Sequence, residues 1–145
     1  MKTCMSGLAC VLLGLMVVAF GNPQLNAQIV NEIRAHIDHS FVIDNTTLPP
    51  GDYTFRMVQN SGLSAMTATS DTDKTSVTFA VRRAQDDHTP RHSEVTFRKY
   101  GDTEFLDKVF ESGTKSGVAT TETARAEQDL VNQGHHPTEH TEEQQ

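Results

Sequence analysis

The stretch IRAHIDHSFVI, residues 33–43, alternates apolar and polar side chains along most of its length. Its odd positions are apolar except for His39, and its even positions are mainly polar. A period of two is typical of a strand with one buried face, because successive side chains of a strand point to opposite sides. We therefore expect one long strand here, with a bulge near His39 and Ser40.

The next stretch, DNTTLPPGDYTF at residues 44–55, predicts a turn between two strands. Pro50 fixes φ near −65° and Gly51 accepts a positive φ, which suits the centre of a type II turn. Adjacent prolines cannot donate to a strand ladder, so the preceding strand must end there. Tyr53 and Phe55 then resume the alternation. Asn45 begins an NTT sequon, which fits a surface loop.

Three further segments have strand patterns. Residues 63–69 form a weak one, and TSVTFAVRR at residues 75–83 is strong, with Val77, Phe79 and Val81 on one face. The third, residues 93–110, reads SEVTFRKYGDTEFLDKVF and predicts a hairpin that turns at Gly101–Asp102.

The hairpin register makes specific predictions about pairing and faces. Lys99 should oppose Glu104, and Phe97 should oppose Leu106. One face should then carry Val95, Phe97, Leu106 and Phe110, and the other Tyr100, Phe105 and Val109. Because both faces hold large apolar side chains, we expect this hairpin to be covered on both sides.

The pattern changes after Glu111. SGTKSG resembles a linker, TTETARAEQDLVNQ predicts a short helix with a thin apolar stripe that stops at Gly134, and HHPTEHTEEQQ has no core-forming side chain. The fold class is therefore mainly β: a single antiparallel β-sandwich or small barrel with a marginal C-terminal helix and a disordered tail. We divide the chain into a β domain at 28–112, a linker and helix at 113–134, and the tail at 135–145.

Residues 1–27 have the layout of a secretory signal peptide, with Lys2 before a short apolar run that Gly21 and Pro23 end. The run is shorter than the roughly 20 residues that cross a bilayer. Cleavage after Ala27 is favoured over cleavage before Asn22, and an uncleaved N-terminal anchor is the alternative. The protein is thus expected to be secreted or periplasmic, without a stable membrane span once the signal is removed.

The rest of the composition limits the chemistry and the partners. Both cysteines, Cys4 and Cys10, lie in the signal segment, so the mature chain has neither a disulfide nor a thiolate nucleophile. The formal net charge of −7 disfavours nucleic acid and anionic lipid as partners. Assembly into a homo-oligomer by edge-strand pairing stays open.

Histidine is the one enriched reactive residue, with seven in the chain. His36 and His39 are three apart, so on one strand they would point to opposite faces and could not share a metal. We expect His39 to be buried and bonded to a backbone carbonyl. The tail histidines His135, His136 and His140 should bind metal only loosely, because a disordered segment holds ligands at an entropic cost.

The loop AQDDHTPRH is the stronger candidate for a metal or acid–base site. Its carboxylates and imidazoles are Asp86, Asp87, His88 and His92. These residue types bind divalent ions, and loops between strands are common positions for sites. The spacing matches no metal signature, so a solvated hairpin loop is the competing interpretation.

The order of motifs resembles a family of short exported β-rich bacterial proteins. Members carry a TLPAGxY-type turn, an RYGD…FL hairpin and a C-terminal AERELA-type segment, which correspond here to TLPPGDY, FRKYGDTEFL and ARAEQDL. The resemblance implies export and a β-rich fold and brings no activity or catalytic residue with it. The chain departs from the pattern with PPG for PAG and with HIDHSF where members tend to show IPFDF.

The sequence has no nucleophile-elbow, zinc-protease or phosphate-loop motif. It also has no tryptophan, which weakens a sugar-stacking role. We therefore expect a non-enzymatic binding or envelope-associated protein with no cofactor. The alternatives are a metal-dependent hydrolase built on the 86–92 loop and a self-assembling envelope subunit.

Overall fold

The computed structural model describes residues 32–58 and 64–144 of the chain. The predicted signal peptide, with its cleavage site and both cysteines, lies outside the described residues. Strands account for most of the described chain, which confirms the mainly-β prediction. No helix in these two ranges is long and apolar enough to cross a membrane.

Within the described ranges the chain forms ten strands and one helix. The strands of the first part are β1 (Ile33–Ile37), β2 (Phe41–Ile43), β3 (Thr46–Leu48), β4 (Gly51–Val58), β5 (Ala65–Ser70) and β6 (Ser76–Gln85). The second part contains β7 (Glu94–Tyr100), β8 (Thr103–Phe110), β9 (Ser116–Thr120), α1 (Arg125–Asn132) and β10 (Thr138–Glu143).

All strands belong to one sheet, whose main path runs β1-β4-β5-β6-β9-β8-β2-β3. β7 pairs with β8, and β10 pairs with β7. Because β7 takes one edge of β8, the strands β9 and β2 must share its other edge. The β2–β8 pair is parallel and every other pair is antiparallel, so the sheet is mixed where we predicted an antiparallel one.

Strand β6 joins the two halves of the sheet. Its first half pairs with β5 and its second half, from Val81 onward, pairs with β9. Side chains from both halves meet in one core. There the aromatic rings of Phe41 on β2 and Tyr53 on β4 pack edge to face, with their centres 5.0 Å apart. Over the described residues the sheet does not close into a barrel, so the barrel alternative is wrong, and the single mixed sheet is compatible with the sandwich alternative.

The alternation of residues 33–43 is confirmed, but the single long strand is not. The odd residues from Ile33 to Ile43 are buried apart from His39, which is partly exposed. The chain breaks at residues 38–40, so that β1 pairs with β4 whereas β2 pairs with β3 and β8. The expected bulge is thus a crossing from one half of the sheet to the other.

The Pro-Pro-Gly stretch does connect two strands, β3 and β4, which pair with different neighbours. Gly51 has a φ of 157°, far from the roughly 80° of a type II turn, so the type II prediction is wrong. Gly51 instead begins β4. The Tyr53 hydroxyl donates a 2.6 Å hydrogen bond to the carbonyl of Pro49, which fixes the path of this connection.

The hairpin of β7 and β8 has the predicted register at its turn. Lys99 opposes Glu104 and Phe97 opposes Leu106, and Gly101 has the positive φ that the first central residue of a type II′ turn needs. A bulge between Thr96 and Phe97 shifts the strand pairing at the end of the hairpin away from the turn. Val109 therefore lies in the main core instead of on the opposite face.

Both faces of the hairpin are covered, as predicted. On the face away from the main core, Tyr100 and Phe105 pack with Ala124 and Leu130 of the helical segment. The first turn of α1 receives a cap from elsewhere in the chain, because the Asn45 side-chain oxygen accepts a hydrogen bond from the Arg125 N–H. The helix stops at Gly134 with φ 84°, as the sequence indicated.

Two predictions about the C-terminal region are wrong. Residues 116–120, expected in the linker, form strand β9 between β6 and β8. Residues 138–143, expected to be disordered, form strand β10 along the free edge of β7. A ladder of backbone hydrogen bonds can hold a polar strand that composition alone would leave unfolded.

Candidate functional site

Strand β10 directs two potential ligands toward the sheet. His140 pairs with Phe97 and Glu142 pairs with Val95 in the ladder with β7. Since strand side chains alternate, His140 and Glu142 share a face, and both are partly buried while Glu139, Thr141 and Glu143 are exposed. The prediction of a loosely binding tail is therefore wrong for His140, which the strand holds in place.

His39 comes to the same place from the break between β1 and β2. The centre of its ring lies 4.9 Å from the centre of the His140 ring. It lies 5.0 Å from the centre of the Phe97 ring, which it meets edge-on. Only 19% of its side chain is exposed. The expected backbone-carbonyl bond is not what orients it, because carboxylates approach both of its ring nitrogens.

Glu104, the second residue of β8, lies beneath the two histidines with 4% of its side chain exposed. One of its oxygens, Oε2, is 2.7 Å from Nδ1 of His140 and 2.9 Å from Nε2 of His39. The other, Oε1, accepts a 2.8 Å hydrogen bond from the Lys99 amine. The parallel pairing of Glu104 with Phe41 on β2 brings this carboxylate next to His39.

Opposing effects act on the ionisation of Glu104. Burial alone would raise its pKa, yet hydrogen bonds from Lys99 and His140 and the charges of both histidines together lower that pKa below its usual value. Glu104 is therefore a buried anion that orients the His140 imidazole by a hydrogen bond and lies close to the His39 ring.

The remaining nitrogen of each imidazole faces Glu142. His140 Nε2 lies 3.7 Å and His39 Nδ1 lies 3.9 Å from Glu142 Oε1. Among the described residues, these three form the group of His, Cys, Asp or Glu side chains whose ligand atoms all lie within 4.8 Å of one another. Tetrahedral zinc with nitrogen and oxygen ligands needs ligand atoms about 3.3 Å apart, so the two nitrogen–oxygen distances to Glu142 exceed that spacing by about 0.5 Å.

Asp38 adds a fourth potential ligand atom, a carboxylate oxygen, at the solvent side of the group. Its Oδ1 lies 2.9 Å from His39 Nδ1, and that hydrogen bond lowers the pKa of the Asp38 carboxyl despite a small opposing effect of burial. Asp38 is 74% exposed, so its side chain is free to turn toward an ion held by the other three.

Within the described structure, one ring nitrogen of His39 lacks a hydrogen-bond partner. Although His39 Nε2 is close to Glu104, its angle is outside hydrogen-bond geometry, and it is a buried nitrogen without a hydrogen-bond partner among the described residues.

The loop predicted as a metal site is arranged differently. Asp86 Oδ1 accepts a hydrogen bond from the backbone N–H of His88 and lies 2.7 Å from that ring's Nδ1, which lowers the pKa of Asp86 and raises the pKa of His88. Glu94 approaches the other nitrogen of His88 at 3.4 Å. Asp87 and His92 are exposed, and the four predicted residues do not form a group with converging ligand atoms in the described structure.

The outer face of β1, β4 and β5 offers two shallow polar clefts of about 200 and 290 Å³. Arg34 and Asp71 line both. The cations there already have partners: Glu32 binds Arg34 and Arg56, and Lys74 donates to the Asp71 carbonyl. With no phenylalanine or tyrosine among the described lining residues, these clefts offer no surface for stacking a sugar ring.

A scan of the chain against protein-family models finds no match. Searches of curated proteins and of solved structures find none either. The resemblance to short exported bacterial proteins therefore stays a prediction, and any function must be argued from the side chains themselves.

Sequence reasoning named His39 and His140 but assigned neither to a site, and it missed Asp38, Glu104 and Glu142. The alternation His140-x-Glu142 is the local signal that a strand would place both on one face. The pairing of that strand with β7 is a long-range contact that local patterns do not reveal.

Proposed function

We propose that the chain is an exported, non-enzymatic binding domain whose ligand is a divalent transition-metal ion of the Zn²⁺ class. His39 Nδ1, His140 Nε2 and a Glu142 oxygen would hold the ion, and Asp38 would complete a four-coordinate set. Imidazole and carboxylate together suit zinc and its neighbours in the first transition series.

The observation that carries the proposal is the position of Glu104. Histidines that ligate metals almost always give their other ring N–H to a carboxylate or carbonyl, which fixes the tautomer and the ring. Glu104 faces one nitrogen of His39 and one of His140 at once. Its hydrogen bond orients the His140 ring, and the remaining nitrogens of His140 and His39 lie 3.7 and 3.9 Å from Glu142 Oε1.

Asp38 favours binding over catalysis. Catalytic zinc keeps an open position for water or substrate, whereas structural and storage sites are closed by a fourth protein ligand. An exposed carboxylate next to His39 Nδ1 is suitably placed to close the site. The residues 36–41, in which the chain departs from the family pattern, include both Asp38 and His39.

The test is isothermal titration of the purified, untagged protein with Zn²⁺, alongside the variants Glu142→Gln and Glu143→Gln. These neighbours are both carboxylates on β10, but Glu142 faces the histidines and Glu143 faces solvent. We expect one ion per chain for the natural protein and for Glu143→Gln, and strongly weakened binding for Glu142→Gln. Equal affinity in the two variants would rule out this site.

A further inference from the structure

Strand β10 has no apolar side chain. Its residues are Thr138 to Glu143, TEHTEE, and only His140 and Glu142 are partly buried. Burial of apolar surface is the main force that holds strands to a core. This strand must therefore depend on other contacts.

The contacts outside the histidine cluster are modest. β10 pairs along one edge with β7 and lies close to β1, and the next residue, Gln144, donates to the Ser93 carbonyl at 2.7 Å. The one further ion pair described for the strand joins Glu139 to Lys108 at 3.4 Å, at an exposed position where such pairs contribute little. Backbone ladders contribute modestly because water competes for the same groups.

The ligands of the proposed metal site come from two separate parts of the chain. His39 belongs to the break between β1 and β2, while His140 and Glu142 belong to β10. Without an ion, the carboxylates of Asp38, Glu104 and Glu142 face two imidazoles and one amine, that of Lys99, which is bound to Glu104. A bound dication would offset that concentration of negative charge.

From these observations we infer that metal occupancy controls whether β10 is docked on β7. The ion joins His39 on the body of the domain to His140 and Glu142 on the strand, so it binds the docked state better than the undocked one. Metal loss would then release the C-terminal strand and open the outer edge of β7. This inference rests on the proposed function and extends it from binding to regulation.

Hydrogen exchange measured by mass spectrometry tests this directly on the full purified protein. The probes are the β10 amides that pair with β7, with and without Zn²⁺, and Mg²⁺ serves as the control ion. At free Zn²⁺ of about 100 times the dissociation constant, the opened population should fall about 100-fold if the opened strand does not hold the ion. Amides of β4, on the other half of the sheet, should change much less.

Three variants locate the effect. Glu142→Gln should abolish the Zn²⁺ protection of β10, and Glu143→Gln should keep it. His39→Ala should also abolish it although residue 39 lies outside the strand, and circular dichroism checks that this variant is folded. Loss of protection in His39→Ala is the result that a simple tail-binding model does not predict.

The outcomes separate the inference from the proposed function. Stoichiometric Zn²⁺ binding by titration without slower exchange in β10 would overturn the docking inference and leave the metal site standing. No Zn²⁺ binding at all would overturn both. Binding with slower exchange that depends on His39 and Glu142 supports both.

Discussion

Arg98 on β7 binds the buried carboxylate of Glu127 on α1, with Nη2 3.0 Å from Oε2. The guanidinium also contacts Asp107, and the Tyr100 hydroxyl donates to Glu127 at 3.2 Å. Glu127 is 2% exposed, so a charged network fastens the helix where its apolar stripe is thin. The FRKYGD and ARAEQDL segments of the family resemblance meet at this network, which gives both a structural role.

Replacing Arg98 by lysine should weaken the domain while keeping the charge. Lysine cannot bridge two carboxylates with a planar fork, so at least one charged hydrogen bond is lost. We expect the free energy of unfolding in urea to fall by about 1.5–3 kcal/mol. The matched change at exposed Arg91 should cost little, and an equal effect at both positions would contradict the role assigned to Arg98.

Replacing Glu104 by glutamine should lower Zn²⁺ affinity even though Glu104 does not contact the proposed ion. The amide is uncharged and holds the two imidazoles less strongly. Loss of such an outer carboxylate typically costs about 10–100-fold in metal affinity. Titration of Glu104→Gln beside Glu143→Gln measures this, and unchanged affinity would show that Glu104 does not orient the ligands.

Acid should destabilise the domain partly through Glu104. The pKa of Glu104 is lower in the folded state than its usual value of 4.5. The ionised carboxylate therefore makes its full contribution to the free energy of unfolding at pH values above 4.5. The contribution is lost as the pH falls through the folded-state pKa. Urea unfolding from pH 7 to pH 3 without metal should therefore show a smaller loss for Glu104→Gln than for the natural protein. Parallel pH profiles would argue against an ionised Glu104 in the folded state.

Gly117 on β9 should not tolerate alanine. A β-carbon there would lie 2.4 Å from the Val109 carbonyl oxygen and 2.5 Å from the Phe110 ring. Because the carbonyl is part of the sheet, relief requires the backbone to move, at a cost of about 1–3 kcal/mol. Thermal unfolding of Gly117→Ala should show this loss. Ser116→Ala, one position earlier and partly exposed, serves as the control and should stay within about 0.5 kcal/mol.

Much of the fold was predictable because it is local. The turn at Gly101–Asp102 sets the register of β7 and β8, and the alternation at 33–43 identifies the buried side chains. The bulge between Thr96 and Phe97 was not predictable, since nothing in those residues marks it, and it alone moved Val109 into the main core.

The candidate site was harder to predict for a physical reason. His39 looked like one more inward residue of a continuous strand, and the break at residues 38–40 that turns it toward β10 depends on pairing with distant strands. The tail looked disordered because it has no apolar side chain to bury, and its strand partner among the described residues is the free edge of β7. Neither fact is contained in a short window of sequence.

The histidines of the site stand near opposite ends of the folded chain, and the second belongs to its last strand. An ion therefore cannot join both of them before residue 140 has been synthesised. Under the proposed docking mechanism, the ion would bind once β10 has paired with β7, and its loss would loosen that strand while the rest of the sheet stays folded.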